Sequence, residues 1–574
     1  MRIFIKKTIQ LITQYKFVIF ALFLGTGLVI QSLGLDFSRM PGDLGDTRFN
    51  NYILEHFYKW ISHKTRSYWD APFFYPYPLI TAFSDNLLGS APIFALFRYL
   101  GLSRETSFQG WYIFGYILNY LSAVYVLLKI KFSPFASAAG AFFFAFGLPM
   151  FAQEGHVQLV YRFCIPLTGL LLWKIPKTPR LNSILLLMFF ITWQFFLSIY
   201  TGYFLILLLG VMAIVIPALN NPQAPKIHIA KFWPNKLKEA WNKSGINEKI
   251  IFFTGMLIIG YSLIWLILPY IRVSNIYNFS RSAEEIELML PRVQSYFLAI
   301  NSELWQSNSP IFSNIPMLHE HQLFPGISIY ILVIIGILWK FPSENRNFAI
   351  INITSVFILV LFTININGLS LYKLILGFPG INSIRAVTRI QLVLMWPLAV
   401  FASCVMDTMY KKTSAILNMK IASYFIFSIL VIESTLFNHY TYSKKEGQIR
   451  ISQLRNQITQ KMGISNVDPI IYLGPENNDP FYITELDAML VSQQLDTPTL
   501  NGYSGNVLYG FEPASDCVQL PIRILKYMKF INTNDKNVYF DLINRVIPIR
   551  LSKCESSWYS VFPENLQMQL EQEE

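Results

Sequence analysis

The chain returns repeatedly to apolar runs long enough to cross a lipid bilayer, and that repetition limits the fold more than any single motif. A bilayer core is spanned by about 20 residues of helix. A helix satisfies its backbone N–H and C=O groups within the segment itself, which hydrocarbon demands. Eleven runs are read, near residues 17–35, 107–128, 134–152, 159–173, 182–198, 201–218, 250–270, 325–339, 348–366, 387–408 and 421–437. Of the 574 residues, 53% are hydrophobic and 14% charged, where a soluble domain carries about 25% charge. The expected fold is an all-α polytopic membrane protein of about 11 transmembrane helices.

The first run follows Arg2, Lys6, Lys7 and Lys16 and extends from Phe17 to Leu35. It is longer than the apolar core of a signal peptide, and Gln31 and Ser32 stand where small residues would mark cleavage. An uncleaved first span is expected. Loop charge gives the orientation. Alternate loops carry Lys129 and Lys131; Lys174, Lys177 and Arg180; Lys226, Lys231, Lys236, Lys238, Lys243 and Lys249; Lys340 and Arg346; and Lys411, Lys412 and Lys420. By the positive-inside rule these loops and the N-terminus face the cytoplasm of a plasma (inner) membrane. The net charge of +12 comes with these loops. No basic stripe with interleaved aromatic residues is present, so nucleic acid is not an expected partner.

The opposite face then carries loop 36–106, the turn Gln153–His156, loop 271–324, loop 367–386 and the polar C-terminal region. Two domains are expected: a transmembrane module, 1–440, and a small extracytoplasmic α+β domain, 441–574. Within the first loop, Phe49, Ile53, Phe57 and Trp60 recur at helical spacing, which predicts an amphipathic helix over Thr47–Ile61 lying along the interface. Pro72, Pro76 and Pro78 exclude a continuous helix after it and suggest an extended segment. Ala91–Leu100 reads as a second amphipathic run. In the C-terminal region Ile470–Leu473, Phe530–Asn532 and Asn537–Phe540 read as strands, and Pro521–Met528 as a helix with proline at its tolerated first position. Cys164 and Cys404 fall in apolar runs and read as buried small hydrophobes. For Cys517 and Cys554, a disulfide and two free thiols are both compatible with the sequence.

Chemistry in such a chain belongs to its polar loops. Asp43 and Asp46 lie three apart where the chain leaves the first span. Either can serve as a general base toward a hydroxyl, although Asp46 can also be the N-cap of the helix that follows. Glu154 and His156 in the short second turn offer another acid and a proton shuttle or ligand. Arg385 and Arg389, four apart, share a helix face if the tenth span begins there, and paired guanidiniums suit phosphate. Lys373 adds charge upstream. His319-Glu320-His321 imitates a metal motif, but a spacing of two suits a strand and no acidic partner is assured, so Glu320 alone is the stronger candidate. A divalent cation, if bound, would fall to Asp43, Asp46, Glu154 and His156. Arg162 and Glu433 lie near span ends, where an ionisable group is a functional candidate. Glu303, Arg281 and Arg292 share one loop without a ranking. The phosphate-loop, dinucleotide and zinc-protease motifs are missing, so an activated donor would come from the membrane and not from a cytosolic nucleotide.

Five stretches, taken in order, carry a resemblance. They are Gly42-Asp43-Leu44-Gly45-Asp46, Trp69-Asp70-Ala71-Pro72-Phe73-Phe74-Tyr75-Pro76, Gly155-His156-Val157-Gln158-Leu159 ahead of Ile165-Pro166-Leu167, Phe378-Pro379-Gly380-Ile381 with Arg385 and Arg389, and Asn501-Gly502-Tyr503-Ser504-Gly505. With them the chain resembles the multi-span glycosyltransferases of the GT-C superfamily, and within it the bacterial YfhO-like membrane proteins. The resemblance implies an inverting transferase that takes a sugar from a polyprenyl-phosphate or polyprenyl-diphosphate donor in the membrane lipid and passes it to an extracytoplasmic glycan, lipid or protein acceptor. It implies Asp43 or Asp46 as base, Glu154 as second acid, and Arg385 and Arg389 as neutralisers of the departing phosphate. The Glu154-Gly155-His156 turn departs from the carboxylate pair of that superfamily, which leaves metal dependence open. A non-enzymatic lipid or polysaccharide transporter, or an assembly subunit that retains the fold, is the competing reading. It is opposed by the scarcity of ionisable residues deep in the spans.

Overall fold

The protein is described by a computed structural model that covers residues 2–220, 226–307, 309–339, 346–378, 380–411, 419–462, 468–475, 479–508, 511, 518–551 and 556–572. Lys340, Pro379, Lys412, Cys517 and Cys554 lie outside the described residues.

Every predicted apolar run is helical over most of its length. Seven helices are long and apolar enough to cross a membrane: Thr13–Ser32, Arg104–Lys129, Pro134–Phe151, Ile199–Leu219, Ile246–Tyr277, Arg346–Thr363 and Val387–Lys411. The other four runs form shorter helices, Cys164–Lys174 of 11 residues, Leu181–Leu197 of 17, Ile327–Leu338 of 12 and Met419–Thr435 of 17. Their ends are set by local chemistry. Ser103 Oγ accepts from Thr106 N and Ser133 Oγ from Ala136 N, capping Arg104–Lys129 and Pro134–Phe146, and Pro134 sits at the first turn, where it costs no hydrogen bond.

The centre of the bundle is the pair Pro134–Phe146 and Ile390–Lys411, both almost wholly buried. Small residues let them approach closely, the usual device where no water is present to drive packing. A Cβ added to Gly140 would lie 1.9 Å from Ser403 Oγ and 2.9 Å from Ala399 O. Arg162 threads between the same helices. Its guanidinium donates to Phe144 O at 2.9 Å and Leu392 O at 2.8 Å. It therefore closes a carbonyl at the end of the helix that breaks at Gly147 and ties it to a carbonyl of the facing helix, and it is not in the lining of the cavity below.

The two ends of the helical module meet in a short antiparallel ladder, Arg39–Pro41 against Thr441–Ser443, with Met40 opposite Tyr442. Beyond it, the first loop and the C-terminal region fold as one layer over the bundle. The helix Asp46–Ile61 forms as expected, but it does not lie along a free interface. Thr47 through Phe57 are all buried, and Gln493 donates to Tyr52 O at 2.9 Å from the helix Phe481–Leu495 above. Arg48 bonds Asp487, which is shared with Arg450. The proline-aromatic stretch is zipped to residues 499–501: Thr499 N donates to Pro72 O at 3.0 Å and Phe74 N to Asn501 O at 2.9 Å. Ala91–Tyr99 is the second loop helix.

In the C-terminal region Ile470–Leu473 is a strand, paired in parallel with Val546–Ile549. The helix around Pro521 runs from Gln519 to Phe530, so the expected strand Phe530–Asn532 is instead its end and a turn. The expected strand Asn537–Phe540 belongs to the helix Lys536–Arg545. Asp535 accepts from Asn537 N at its start, and Tyr539, Leu542 and Ile543 are buried at helical spacing. Val538, Tyr539 and Phe540 favour strands one by one, but the period of the longer window wins.

Candidate functional site

The site begins with a backbone constraint. Gly42 has φ +76°, and an added Cβ would lie 2.7 Å from Glu154 O. The turn there is open to glycine alone. It aims Asp43 at the following helix, where Oδ1 accepts from Gly45 N and Thr47 N, each at 3.2 Å. Asp43 is thus the residue that closes the helix start. Gly45 holds the cap position without a side-chain bond, and Asp46 is the first helical residue and not its N-cap.

Asp46 is consequently available to the cavity side, with 30% of its side chain exposed. Its Oδ2 meets His156 Nδ1 at 2.9 Å, and its Oδ1 accepts from the Tyr503 hydroxyl at 2.8 Å. The other imidazole nitrogen, Nε2, meets Glu320 Oε1 at 3.0 Å. Glu320 is buried and held by Arg389, at 2.7 Å from Nη2 and 3.3 Å from Nε. The Arg389 guanidinium lies 4.9 Å over the Tyr200 ring. Asp46, His156, Glu320 and Arg389 form one chain of alternating charge, drawn from four separate segments.

An imidazole that faces a carboxylate on each side donates to both only as the cation. Burial and the Arg389 charge would lower the pKa of His156, but Glu320 and Asp46 outweigh them and raise it from 6.5 to about 9. Burial would raise Asp46, yet the His156 and Tyr503 hydrogen bonds and the Arg389 charge hold it below its ordinary value. Glu320 is likewise held well below the usual range, burial being overcome by Arg389 and His156. Desolvation and the Asp46 charge push Asp43 the other way, upward.

Of these groups Asp46, His156 and Arg389 border a cavity of about 420 Å³, and Glu320 is not in its lining. Its polar lining includes Asp46, Asp85, His156, Arg281, Arg385, Arg389, Glu485 and Tyr503, and its apolar lining includes Phe83, Tyr200, Tyr270, Phe481 and Phe511. Arg385 and Arg281 share one counter-ion, each 3.2 Å from Glu285 Oε1. Arg385 and Arg389 both line the cavity, although not as neighbours on one helix face. Arg385 precedes the short 3₁₀ turn Val387–Arg389 that leads into Ile390–Lys411.

Glu154, Lys373 and Asp43 are not among the lining residues. Glu154 is buried and bonded to His439 Nδ1 at 2.6 Å and Tyr440 N at 3.3 Å. Lys373 pairs with Glu287 at 2.6 Å and also donates to Gly368 O. His319-Glu320-His321 is a 3₁₀ turn, not a strand. His321 bonds Ser295 Oγ at 2.7 Å and Leu288 O at 3.0 Å. The four candidate cation ligands do not converge, since Asp43 closes a helix, Glu154 holds His439, and both nitrogens of His156 are engaged. Among the described residues no group of three or more His, Cys, Asp or Glu side chains could hold a metal ion.

Three lining residues carried no clear signal in the sequence. Asp85 is buried, accepts from Ser198 Oγ at 2.6 Å and Ile199 N at 2.8 Å, and is raised by burial against those bonds. Arg281 was one of several loop cations, and Tyr503 one of 31 tyrosines. The cavity is lined both by a carboxylate held below its ordinary pKa and by guanidiniums. Such a site can take a proton from a hydroxyl while it holds an anion. No model of a known protein family matches the chain, and no curated protein matches it.

Proposed function

We propose that the chain is a membrane glycosyltransferase, inverting, that moves a sugar from a polyprenyl-phosphate or polyprenyl-diphosphate donor to an extracytoplasmic acceptor. In this reading the bundle makes 11 crossings from a cytoplasmic N-terminus, and residues 441–574 lie outside. One observation carries it: the Asp46 carboxylate and the Arg281 and Arg385 guanidiniums line one cavity, together with Ile199 and Tyr270 of the apolar helices Ile199–Asn220 and Ile246–Tyr277. Asp46 takes the proton of the acceptor hydroxyl as its oxygen attacks the sugar carbon. The phosphate leaves from the opposite face of that carbon, and its growing charge is met by Arg385 and Arg281. Arg389 acts at one remove, holding Glu320, which holds His156. Glu154 and Lys373 have structural bonds and no part in the reaction.

The test is sugar transfer by the purified protein in lipid nanodiscs, with radiolabelled polyprenyl-phosphate sugars as donors. Asp46→Asn is expected to lose about a hundredfold or more in kcat, the scale of a general base. Arg385→Ala is expected to lower kcat, because the charge it meets grows only as the phosphate departs. Transfer at full rate by Asp46→Asn would remove the base from this mechanism.

A further inference from the structure

Tyr503 stands 457 positions from Asp46 in the chain, yet its hydroxyl reaches the Asp46 carboxylate. The ring is held on two sides, with centroids 5.9 Å from Phe49 and 6.3 Å from Tyr482. The neighbouring backbone is fixed as firmly. Gly502 N donates to Glu485 Oε2 at 2.8 Å. Gly505 O and Asn506 Oδ1 accept from Arg281 at 2.8 and 2.6 Å. Asn506 donates to Phe83 O from its backbone N at 3.2 Å and its Nδ2 at 3.1 Å. Every one of these anchors, Asp46, Glu485, Arg281 and Phe83, lines the same cavity.

A tyrosine that only filled space would need its ring and not its hydroxyl. Here the hydroxyl takes one oxygen of Asp46 while His156 takes the other. A carboxylate has about four lone-pair sites. Two are occupied, one on each oxygen, which restrains the group from rotating, and the residue lines the cavity. Burial and the Asp46 charge push the phenol up, so it keeps its proton and remains the donor.

We propose that Tyr503 is a positioning residue for Asp46, and that the C-terminal region thereby completes the site. The proposal rests on the reading of Asp46 as general base. Its general logic is that a reacting group held at both oxygens loses less freedom at the moment of reaction.

The test uses Tyr503→Phe in the full chain, in nanodiscs, because phenylalanine keeps the ring packing and removes the hydroxyl alone. Two readouts are taken. The first is the rate at which a carbodiimide, which attacks protonated carboxyl groups, modifies Asp46, followed by mass spectrometry of the peptide. The variant is expected to react several-fold faster than the unaltered protein. The second is sugar transfer, with kcat expected to fall about tenfold or more, KM to stay within about twofold, and the acid limb of the pH profile to move upward. An unchanged unfolding temperature separates this from misfolding. Unchanged carbodiimide reactivity, together with unchanged kcat, overturns the proposal. Faster modification in the variant, with no transfer from any donor by the unaltered protein, upholds Tyr503 as the positioning group and removes the transferase reading instead.

Discussion

Two carboxylates claim the two ring nitrogens of His156, and that ties part of the protein's stability to pH. The folded state holds this proton more tightly than the unfolded chain, about 9 against 6.5. Its contribution to stability is therefore whole below pH 6.5, declines above it, and is gone above about 9. Glu320 runs the opposite way, because its folded value lies well below 4.5, and its contribution is lost in acid. Together these two groups should support the unfolding temperature most between pH 4.5 and 6.5 and less on the alkaline side. In His156→Gln the alkaline fall attributable to this group should vanish, as differential scanning fluorimetry would register. Residue type and loop position were enough to single out Asp46, His156, Glu320, Arg385 and Arg389. They could not separate these from Asp43, Glu154 and Lys373, because the difference lies in who pairs with whom. His439 and Glu287 claim the last two across long stretches of chain. Tyr503 stands out in the sequence only within the pentapeptide Asn501–Gly505. A hydroxyl that acts through a carboxylate leaves no spacing rule to find.

Asp43 belongs to the helix Asp46–Ile61 more than to the cavity, since its carboxylate serves the first backbone N–H groups. Asp43→Ala should cost about 1 kcal/mol of stability, the usual cost of a lost cap. Asp43→Asn, which can still accept, should keep both stability and most of the transfer rate. Parallel melting curves and kinetics on the two variants distinguish them, and a collapse of transfer in Asp43→Asn would return that residue to the chemistry. The packing of the central helices gives a second check. Gly140→Ala places a methyl against Ser403 Oγ and the Ala399 carbonyl, so the helices must part, at about 1–3 kcal/mol, lowering the unfolding temperature. Helices were legible because hydrocarbon leaves the backbone no alternative. In the C-terminal region the strand Ile470–Leu473 and the helix around Pro521 were legible, whereas the expected strands Phe530–Asn532 and Asn537–Phe540 were not, because tertiary packing outweighs the preference of three or four residues there. The helix Lys536–Arg545 took its period from Tyr539, Leu542 and Ile543.

The whole molecule is held shut by pairs that join its first loop to its C-terminal region. Asp487 is fully buried between Arg48 and Arg450. Asp487→Ala leaves the buried Arg48 without this counter-ion, a change worth about 3–5 kcal/mol, while the partly exposed Arg450 keeps Asp479. Residues 441–574 should then be cut faster by added protease while the helices stay protected, which gel analysis of timed digests would reveal. The ladder Arg39–Pro41 with Thr441–Ser443 has a bearing on the order of events in the cell. The first of these strands leaves the ribosome when most of the bundle does not yet exist, and its partner emerges only after the last long helix. Asp46 is made early and must wait for Tyr503 through the greater part of synthesis. A message broken before that tyrosine codon yields a protein with its helices in place and its cavity missing a wall.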